Sequence, residues 1–414
     1  MKYDVLVIGG GAAGLTAALS ASRQGARVLV LEAANRVGRK ILASGNGHCN
    51  LANMGPARYP GGAEFAKRVL SLCPVSQVLD FFHSLGLITV VDDGGRVYPG
   101  CGQAAVVLDT LRGELDRRGV ETVCDCPVSG IEPAKWGMKV IAKTGVFFAP
   151  CVIAAFGGPA GGRLGHDGSP YRLLTNLGHT LIPPRPALSP LFSDPEAVKG
   201  LSGLRLPAIL TLCAKLGPRA GEAITEPQLG EAMFTDNGVS GMCAMELARA
   251  AQDEKERSGV WPILFMDFAP ILGLCERRYG LVDDPDPFRH LRAVEALLRE
   301  RAHILPRGTL LRGMVPRLLA ERLKYQSTQE LARSLAAFPV PLTGVRGLDG
   351  AQVTAGGISR KDFDNDTLQS TLVPGLFAAG ELLDVDGACG GFNLQFAFAS
   401  GILAGKNAAE MGIA

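Results

Sequence analysis

No apolar run in this chain reaches the roughly 18 residues that a membrane-crossing helix needs, so no span is expected. No secretory leader is expected either: Met1-Lys2-Tyr3-Asp4 leads straight into a strand-like run and a glycine turn, and a cytoplasmic protein is expected. Charge of one sign is absent. Lys and Arg number 42 against 40 Asp and Glu, a net charge of +2, which gives no electrostatic ground for binding nucleic acid. The ten cysteines include no Cys-x-x-Cys, and their one close pair is Cys124-Asp125-Cys126. In a reducing compartment such thiols are mostly small buried hydrophobes, so neither a metal site nor a redox disulfide is expected.

What is present is glycine in two informative places. Val5-Leu6-Val7-Ile8 is an apolar run followed by Gly9-Gly10-Gly11-Ala12-Ala13-Gly14. Ala12 to Gln24 then has helical apolar spacing, Gly25 can end the helix, and Arg27-Val28-Leu29-Val30-Leu31 reads as a second buried strand closed by Glu32. This is a βαβ opening. Its glycines (Gly9, Gly11, Gly14) allow a tight turn and close approach of a pyrophosphate to a helix N-terminus, lined by Ala12 and Ala13. Glu32 lies 18 residues beyond Gly14, where a carboxylate accepts both hydroxyls of an adenosine ribose and repels a 2′-phosphate. The second place is near the other end: Leu376-Phe377-Ala378-Ala379-Gly380-Glu381, then Asp384 and Asp386, then Gly390-Gly391-Phe392-Asn393-Leu394-Gln395 opening a helix expected over 394–409. A nicotinamide dehydrogenase needs only the first cradle. Two cradles returning to one long dinucleotide point to FAD.

The loop after the second strand is polar and glycine-rich, from Arg36 to Asn50. Arg39 and Lys40 are candidates to neutralise phosphate, and Ser44 and Asn46, with Gly45 between them, to hydrogen-bond ribityl or ring atoms. His48 is the candidate proton donor, and Cys49 and Asn50 follow it as candidate cofactor contacts. At the second cradle, Glu381 can bind a ribityl hydroxyl. A flavin accepting a hydride gains negative charge over N1 and C2=O, and a helix N-terminus aimed there would favour the reduced anionic ring. Asn393 to Gln395 are the expected donors.

At 414 residues the chain should form two or three domains. Amphipathic helices are expected over 64–85 and 102–118, and short strands over 120–155. The last strand ends in Gly157-Gly158 and should return to the dinucleotide sheet near its adenine end. Composition changes at Pro183-Pro184-Arg185-Pro186, a boundary. A β-rich piece is expected over 187–250, completed by 335–349, and a helical piece over 251–334. That helical piece carries Arg289, Arg292, Arg299, Arg301, Arg312, Arg317 and Arg322, read either as a solvated surface or as a patch for an acidic substrate tail.

The ordered set Gly9–Gly14, Gly38-Arg39-Lys40, Ser44–Asn50, Phe234-Thr235 with Gly238–Gly241, Thr354–Gly357, and Ala379 through Asp386 to Gln395 resembles a bacterial FAD-binding family. That family includes aminoacetone oxidase-like enzymes and reductases of unsaturated 3-oxo bile acids, and the resemblance covers nearly the whole chain. It implies an α/β fold: a glutathione-reductase-type FAD-binding Rossmann domain (1–186 and 350–414) interrupted by the β-rich and helical insertions. It also implies a substrate site between the flavin ring and the insertion, with Ala33, Val128 and Asp386 among the cofactor contacts. The family usually carries Arg or Lys where His48 stands, and Pro where Met242 stands. The expected activity is FAD-dependent hydride exchange with a small organic substrate: NAD(P)H-driven reduction of an enone, with the nicotinamide bound transiently. Amine oxidation with oxygen and an RNA-modifying flavoprotein are the alternatives.

Overall fold

The computed structural model describes residues 2–215, 221–274, 280–281 and 284–413. The chain divides into two compact units, Met1–Arg185 with Val353–Ala414, and Pro186–Gln352.

The first unit is built on five parallel strands: β1 (Val5–Ile8), β2 (Val28–Leu31), β3 (Glu121–Val123), β4 (Cys151–Ala154) and β5 (Leu376–Ala378), in the order β5-β4-β1-β2-β3. β1, β2, β4 and β5 are buried along their whole length, as continuous Val/Leu/Ile/Ala runs require when both faces are covered. In register, Ile8 lies beside Leu31 and Ala154, and Ala154 beside Ala378. The residues that follow each strand (Gly9, Glu32, Ala155, Ala379) therefore leave the sheet along one edge, the carboxyl edge where ligands of such sheets bind.

Two helices pack against each other over this sheet, Ala12–Arg23 and the terminal Phe392–Ile413. Close approach explains the small residues of the second. A Cβ added to Gly401 would lie 2.3 Å from the Ala13 carbonyl oxygen, and one on Gly405 would lie 2.2 Å from that of Ala17. The helix expected over 64–85 is two helices, Ala63–Leu72 and Val75–His83, because Pro74 stands at the N-cap of the second and ends the run. A small antiparallel ladder joins Ala52–Asn53, Arg96–Pro99 and Thr89–Val91, and another joins Val128–Ala134, Gly137–Ala142 and Gly145–Ala149.

The second unit is an antiparallel sheet whose pairings form a closed ring of six strands. Arg205–Cys213 pairs Ile263–Asp267, then Phe338–Val345, Leu191–Ser193, Gly238–Ser240 and Gln228–Thr235 follow, and the last pairs Arg205–Cys213 again. Closure leaves no long unpaired edge in the ring. Leu210, Phe234, Met266 and Phe338 from the ring share one apolar cluster with Ala251, Val294, Leu298 and Leu335 from the helices Ala248–Ser258, Leu291–Ile304 and Thr328–Ala336. The piece read as helical thus also contributes a strand, Ile263–Asp267, whose five residues are too short an apolar run to separate from helix by periodicity. Its arginines do not form one solvated face. Arg289 is buried, with Nη1 at 3.4 Å from Asp267 and Nη2 bonded to Thr211. Arg301 donates to the carbonyls of Leu310 and Arg312.

Among the described residues no helix is long and apolar enough to cross a membrane, and no cluster of His, Cys, Asp and Glu has the makings of a metal site.

Candidate active site

The glycines of the first cradle have different reasons to be glycine. Gly9 has φ +103°, and a Cβ there would meet the Ala155 carbonyl at 2.5 Å; a Cβ on Gly14 would lie 1.8 Å from the Gly9 oxygen. Both are fixed by protein packing. Gly11 is not: its Cβ would meet nothing within 4 Å. Gly11 is also the N-cap of helix Ala12–Arg23, with no side chain capping it, so the first N–H groups of that helix, beginning with Ala12 and Ala13, have no intrahelical partner. An open glycine at an uncapped helix start fits close approach by a pyrophosphate.

Glu32 ends β2 and ties this turn together. Its carboxylate accepts Gly10 N–H at 2.6 Å and Ala34 N–H at 2.7 Å. Cys126 N–H donates to the Glu32 carbonyl and Asp125 N–H to that of Ala34, so the segment leading to Val128 is tied to the end of β2, where Ala33 is exposed.

Across the sheet edge the two termini of the chain meet. Lys40 Nζ donates to Glu381 Oε2 at 2.8 Å and to the Gly158 carbonyl at 2.8 Å. Glu381 also accepts from Thr354 N–H at 2.9 Å and Gly158 N–H at 3.3 Å. Burial alone would push this carboxyl up, but Lys40 and the two backbone donors outweigh it and hold it below the ordinary range. Lys40 is thus engaged with Glu381, and Arg39 donates to the Arg163 carbonyl; neither is held out as a free phosphate ligand. Gly158 has no room for a side chain, since its Cβ would lie 2.5 Å from Thr354 Oγ1, and Gly380 has φ +77° with Ser400 Oγ accepting its N–H. Gly157 carries the carbonyl bonded by His166 Nε2 at 2.9 Å, while His166 Nδ1 accepts Gly168 N–H. Burial lowers the His166 imidazole, and these bonds fix it as the neutral Nε2–H form.

Arg39 and Lys40 open a short helix, Arg39–Ala43, followed by a 3₁₀ turn, Ser44–Gly47, with Gly45 and Asn46 both at φ +54°. Ser44 Oγ donates to the Ile41 carbonyl. His48 is exposed, and its Nδ1 lies 2.6 Å from the Gly102 carbonyl, so Nδ1 carries the proton. Cys49 is fully buried and burial pushes its thiol up to about 11, which makes it a packing residue rather than a nucleophile. Asn50 Oδ1 is buried without a hydrogen-bond partner among the described residues.

That orphan acceptor faces the second cradle. A Cβ on Gly391 would lie 2.6 Å from Asn50 Oδ1 and 2.5 Å from the Ala52 oxygen. Asn53, absent from the sequence reading, clamps the two segments: its Nδ2 donates to the Gly390 carbonyl at 2.8 Å and its N–H to Gln395 Oε1 at 3.0 Å. Tyr59 adds a bond from its hydroxyl to the Phe392 carbonyl. Asn393 holds the preceding loop through both amide atoms, on Gly387. Asp386 is buried in the same loop, where its backbone bridges to Gly61.

One expectation needs correction. The terminal helix starts at Phe392, not Leu394, and Gln395 N–H is already bonded to the Gly391 carbonyl. The unsatisfied amides of the first turn are therefore Phe392, Asn393 and Leu394. Gln395 serves through its side chain. A helix start without a side-chain cap at Gly11, a second helix opening after Gly390-Gly391, a carboxylate closing β2 and the orphan Asn50 Oδ1 make a set of donors and acceptors that fits FAD.

The family profile described as HI0933-like protein Rossmann domain matches residues 3–407. The 3-dehydro-bile acid delta(4,6)-reductase of Clostridium scindens is 36% identical over 423 residues, 98% of either chain. The ribosomal RNA dihydrouridine synthase of Escherichia coli is 26% identical over 416 residues, 96% of either chain. Among solved structures, the 3-ketosteroid delta1-dehydrogenase of Sterolibacterium denitrificans in complex with 1,4-androstadiene-3,17-dione aligns with TM-score 0.50 at 14% identity over 99% of both chains, a likeness of fold. The chain belongs to the HI0933-like Rossmann-domain family and is an FAD-dependent oxidoreductase.

Proposed function

We propose that the chain reduces a carbon–carbon double bond conjugated to a carbonyl, in an enone of steroid-like bulk, with NADH or NADPH as transient electron donor. The observation that carries this reading is the amide edge of Phe392, Asn393 and Leu394, clamped by Asn53 against the loop of Asn50, in a chain 36% identical over 98% of its length to a bile-acid reductase. Bound FAD supplies hydride chemistry at its ring. The chain's own residues bind and orient. Gly9, Gly11 and Gly14 with the first helix take the pyrophosphate, and Glu32 takes the ribose hydroxyls in addition to the N–H groups it already holds. Glu381, kept ionised by Lys40, takes a ribityl hydroxyl. The free amides of Phe392, Asn393 and Leu394 stabilise negative charge at the pyrimidine end, which favours the reduced state.

A second reading is reduction of uracil in ribosomal RNA, supported by the 26% identity to a dihydrouridine synthase over 96% of the chain. The uracil double bond is also conjugated to a carbonyl, so the two relatives' names point to one kind of bond. The test is anaerobic bleaching of the purified flavoprotein by NADH and NADPH, then addition of 2-cyclohexen-1-one, a 3-oxo-4-ene steroid, or ribosomal RNA fragments. Reoxidation by the steroid is the expected outcome. Reoxidation by RNA alone selects the second reading, and peroxide formation from aminoacetone and oxygen selects amine oxidation instead.

A further inference from the structure

The ladder Ala52–Asn53, Arg96–Pro99, Thr89–Val91 carries polar groups that the binding of a dinucleotide does not use. Along Arg96–Pro99 burial alternates: Val97 and Pro99 point into the core, Arg96 and Tyr98 do not. Alternate strand residues share a face. The face of Arg96 is turned to the loop before the terminal helix. Asn53 stands opposite Arg96 in the ladder and bonds the Gly390 carbonyl, and a Cβ on Gly390 would lie 3.9 Å from Arg96 Cγ. Tyr98 is the next residue on this face, about 7 Å further along the strand.

The charged or titratable groups that act on Tyr98 are Arg96, Asp92 and Cys389. Val90 pairs with it across the ladder and is 49% exposed, and exposed Ile88 stands two residues before Val90. Arg96 is committed to Asp92, with Nε 2.8 Å from Oδ2. The Tyr98 hydroxyl has no hydrogen-bond partner among the described residues. His48 is the other candidate acid, and its bond to Gly102 works against it: with the proton on Nδ1, the neutral ring offers Nε2 as an acceptor.

The geometry points to Tyr98 as the residue that protonates the substrate, a role that rests on the enone reading above. Reduction adds a hydride to the β carbon, supplied by the cofactor after its own reduction by a nicotinamide dinucleotide, and a proton to the α carbon. The Tyr98 O–H bond breaks as the α C–H bond forms, and water returns the proton to the phenolate. A phenol can carry this step, because the enolate it quenches is far more basic than a phenolate, so the proton transfer runs downhill. Burial raises the Tyr98 hydroxyl above its ordinary value, so it stays protonated at neutral pH.

The test separates the two half-reactions of Tyr98→Phe, which keeps the ring and removes the proton. FAD content and the rate of bleaching by NADH or NADPH should match the wild type. Reoxidation by the 3-oxo-4-ene steroid should slow by about 100-fold or more, with a solvent deuterium isotope effect at least as large as that of the wild type, because protonation from water then limits the rate. His48→Gln should reoxidise at close to the wild-type rate. Wild-type-like reoxidation of Tyr98→Phe overturns the assignment, and so does a loss confined to His48→Gln. Loss of FAD or slow bleaching in Tyr98→Phe would make Tyr98 structural, also overturning it. If no enone reoxidises the bleached wild type, the enone reading fails and this role falls with it; that result is visible before any variant is made.

Discussion

At the scale of single residues, the first cradle separates glycines needed for folding from a glycine needed for a ligand. Gly14 cannot carry a methyl group, since its Cβ would overlap the Gly9 oxygen at 1.8 Å. Gly11 has φ −84° and open space around its Cβ. Alanine at Gly11 should therefore leave the thermal stability of the FAD-free protein unchanged, while alanine at Gly14 should lower it by about 1–3 kcal/mol. Flavin content should fall in both, because in Gly11→Ala the methyl occupies the space the pyrophosphate needs. Denaturation midpoints and the flavin-to-protein absorbance ratio, measured side by side, check this; full flavin retention in Gly11→Ala would remove the pyrophosphate from that position. The placement of Gly9, Gly11 and Gly14 between a strand and a helix start was legible because it is local, a fixed spacing between those two elements. Asn53 and His166 were not legible. Their partners, Gly390 and Gln395 for the first, Gly157 and Gly168 for the second, are set by tertiary folding or by a loop with no periodicity.

Secondary-structure elements show the same contrast between two helical glycines. Gly405 of the terminal helix packs with its Cα against Ala17, where a Cβ would sit 2.2 Å from the carbonyl oxygen. Gly113, in helix Ala104–Arg117, is exposed, and a Cβ there meets nothing within 4 Å. Gly405→Val should destabilise by about 1–3 kcal/mol by forcing the helices apart. Gly113→Ala should stabilise by about 0.5–1 kcal/mol through helix propensity alone. Chemical denaturation gives both signs in one experiment, and equal signs would contradict the packing described here. The terminal helix itself was legible from its small residues, but its start was displaced by two positions. Gly390-Gly391 marks a turn without saying which following residue first adopts helical angles, and the aromatic Phe392 gives no capping signal. The ring of the second unit was the least legible element. Leu191–Ser193 and Gly238–Ser240 are three residues each, and their pairing to each other and to Phe338–Val345 joins segments far apart in sequence.

For the whole molecule the decisive fact is that the apolar cores are separate. One cluster contains only residues of Met1–Arg185 and Val353–Ala414, and the other only residues of Pro186–Gln352. Every residue proposed to hold FAD belongs to the first unit. A ligand that binds one folded unit stabilises that unit by RT ln(1 + [L]/Kd), about 2.7 kcal/mol at a hundredfold excess over Kd. For a unit of this size, each kcal/mol moves the midpoint by about 2–4 °C. Calorimetry should therefore resolve two unfolding transitions, of which excess FAD raises one by several degrees and leaves the other in place. Glu32→Lys should abolish the shift, because it removes the carboxylate that closes β2 and that holds Gly10 in the cradle. The transition that does not move is then assigned to Pro186–Gln352, whose own cluster of Leu210, Phe234, Met266 and Phe338 keeps it folded without the cofactor. If both transitions rise together on addition of FAD, the cofactor is held by both units, and the binding set confined to the first unit is wrong.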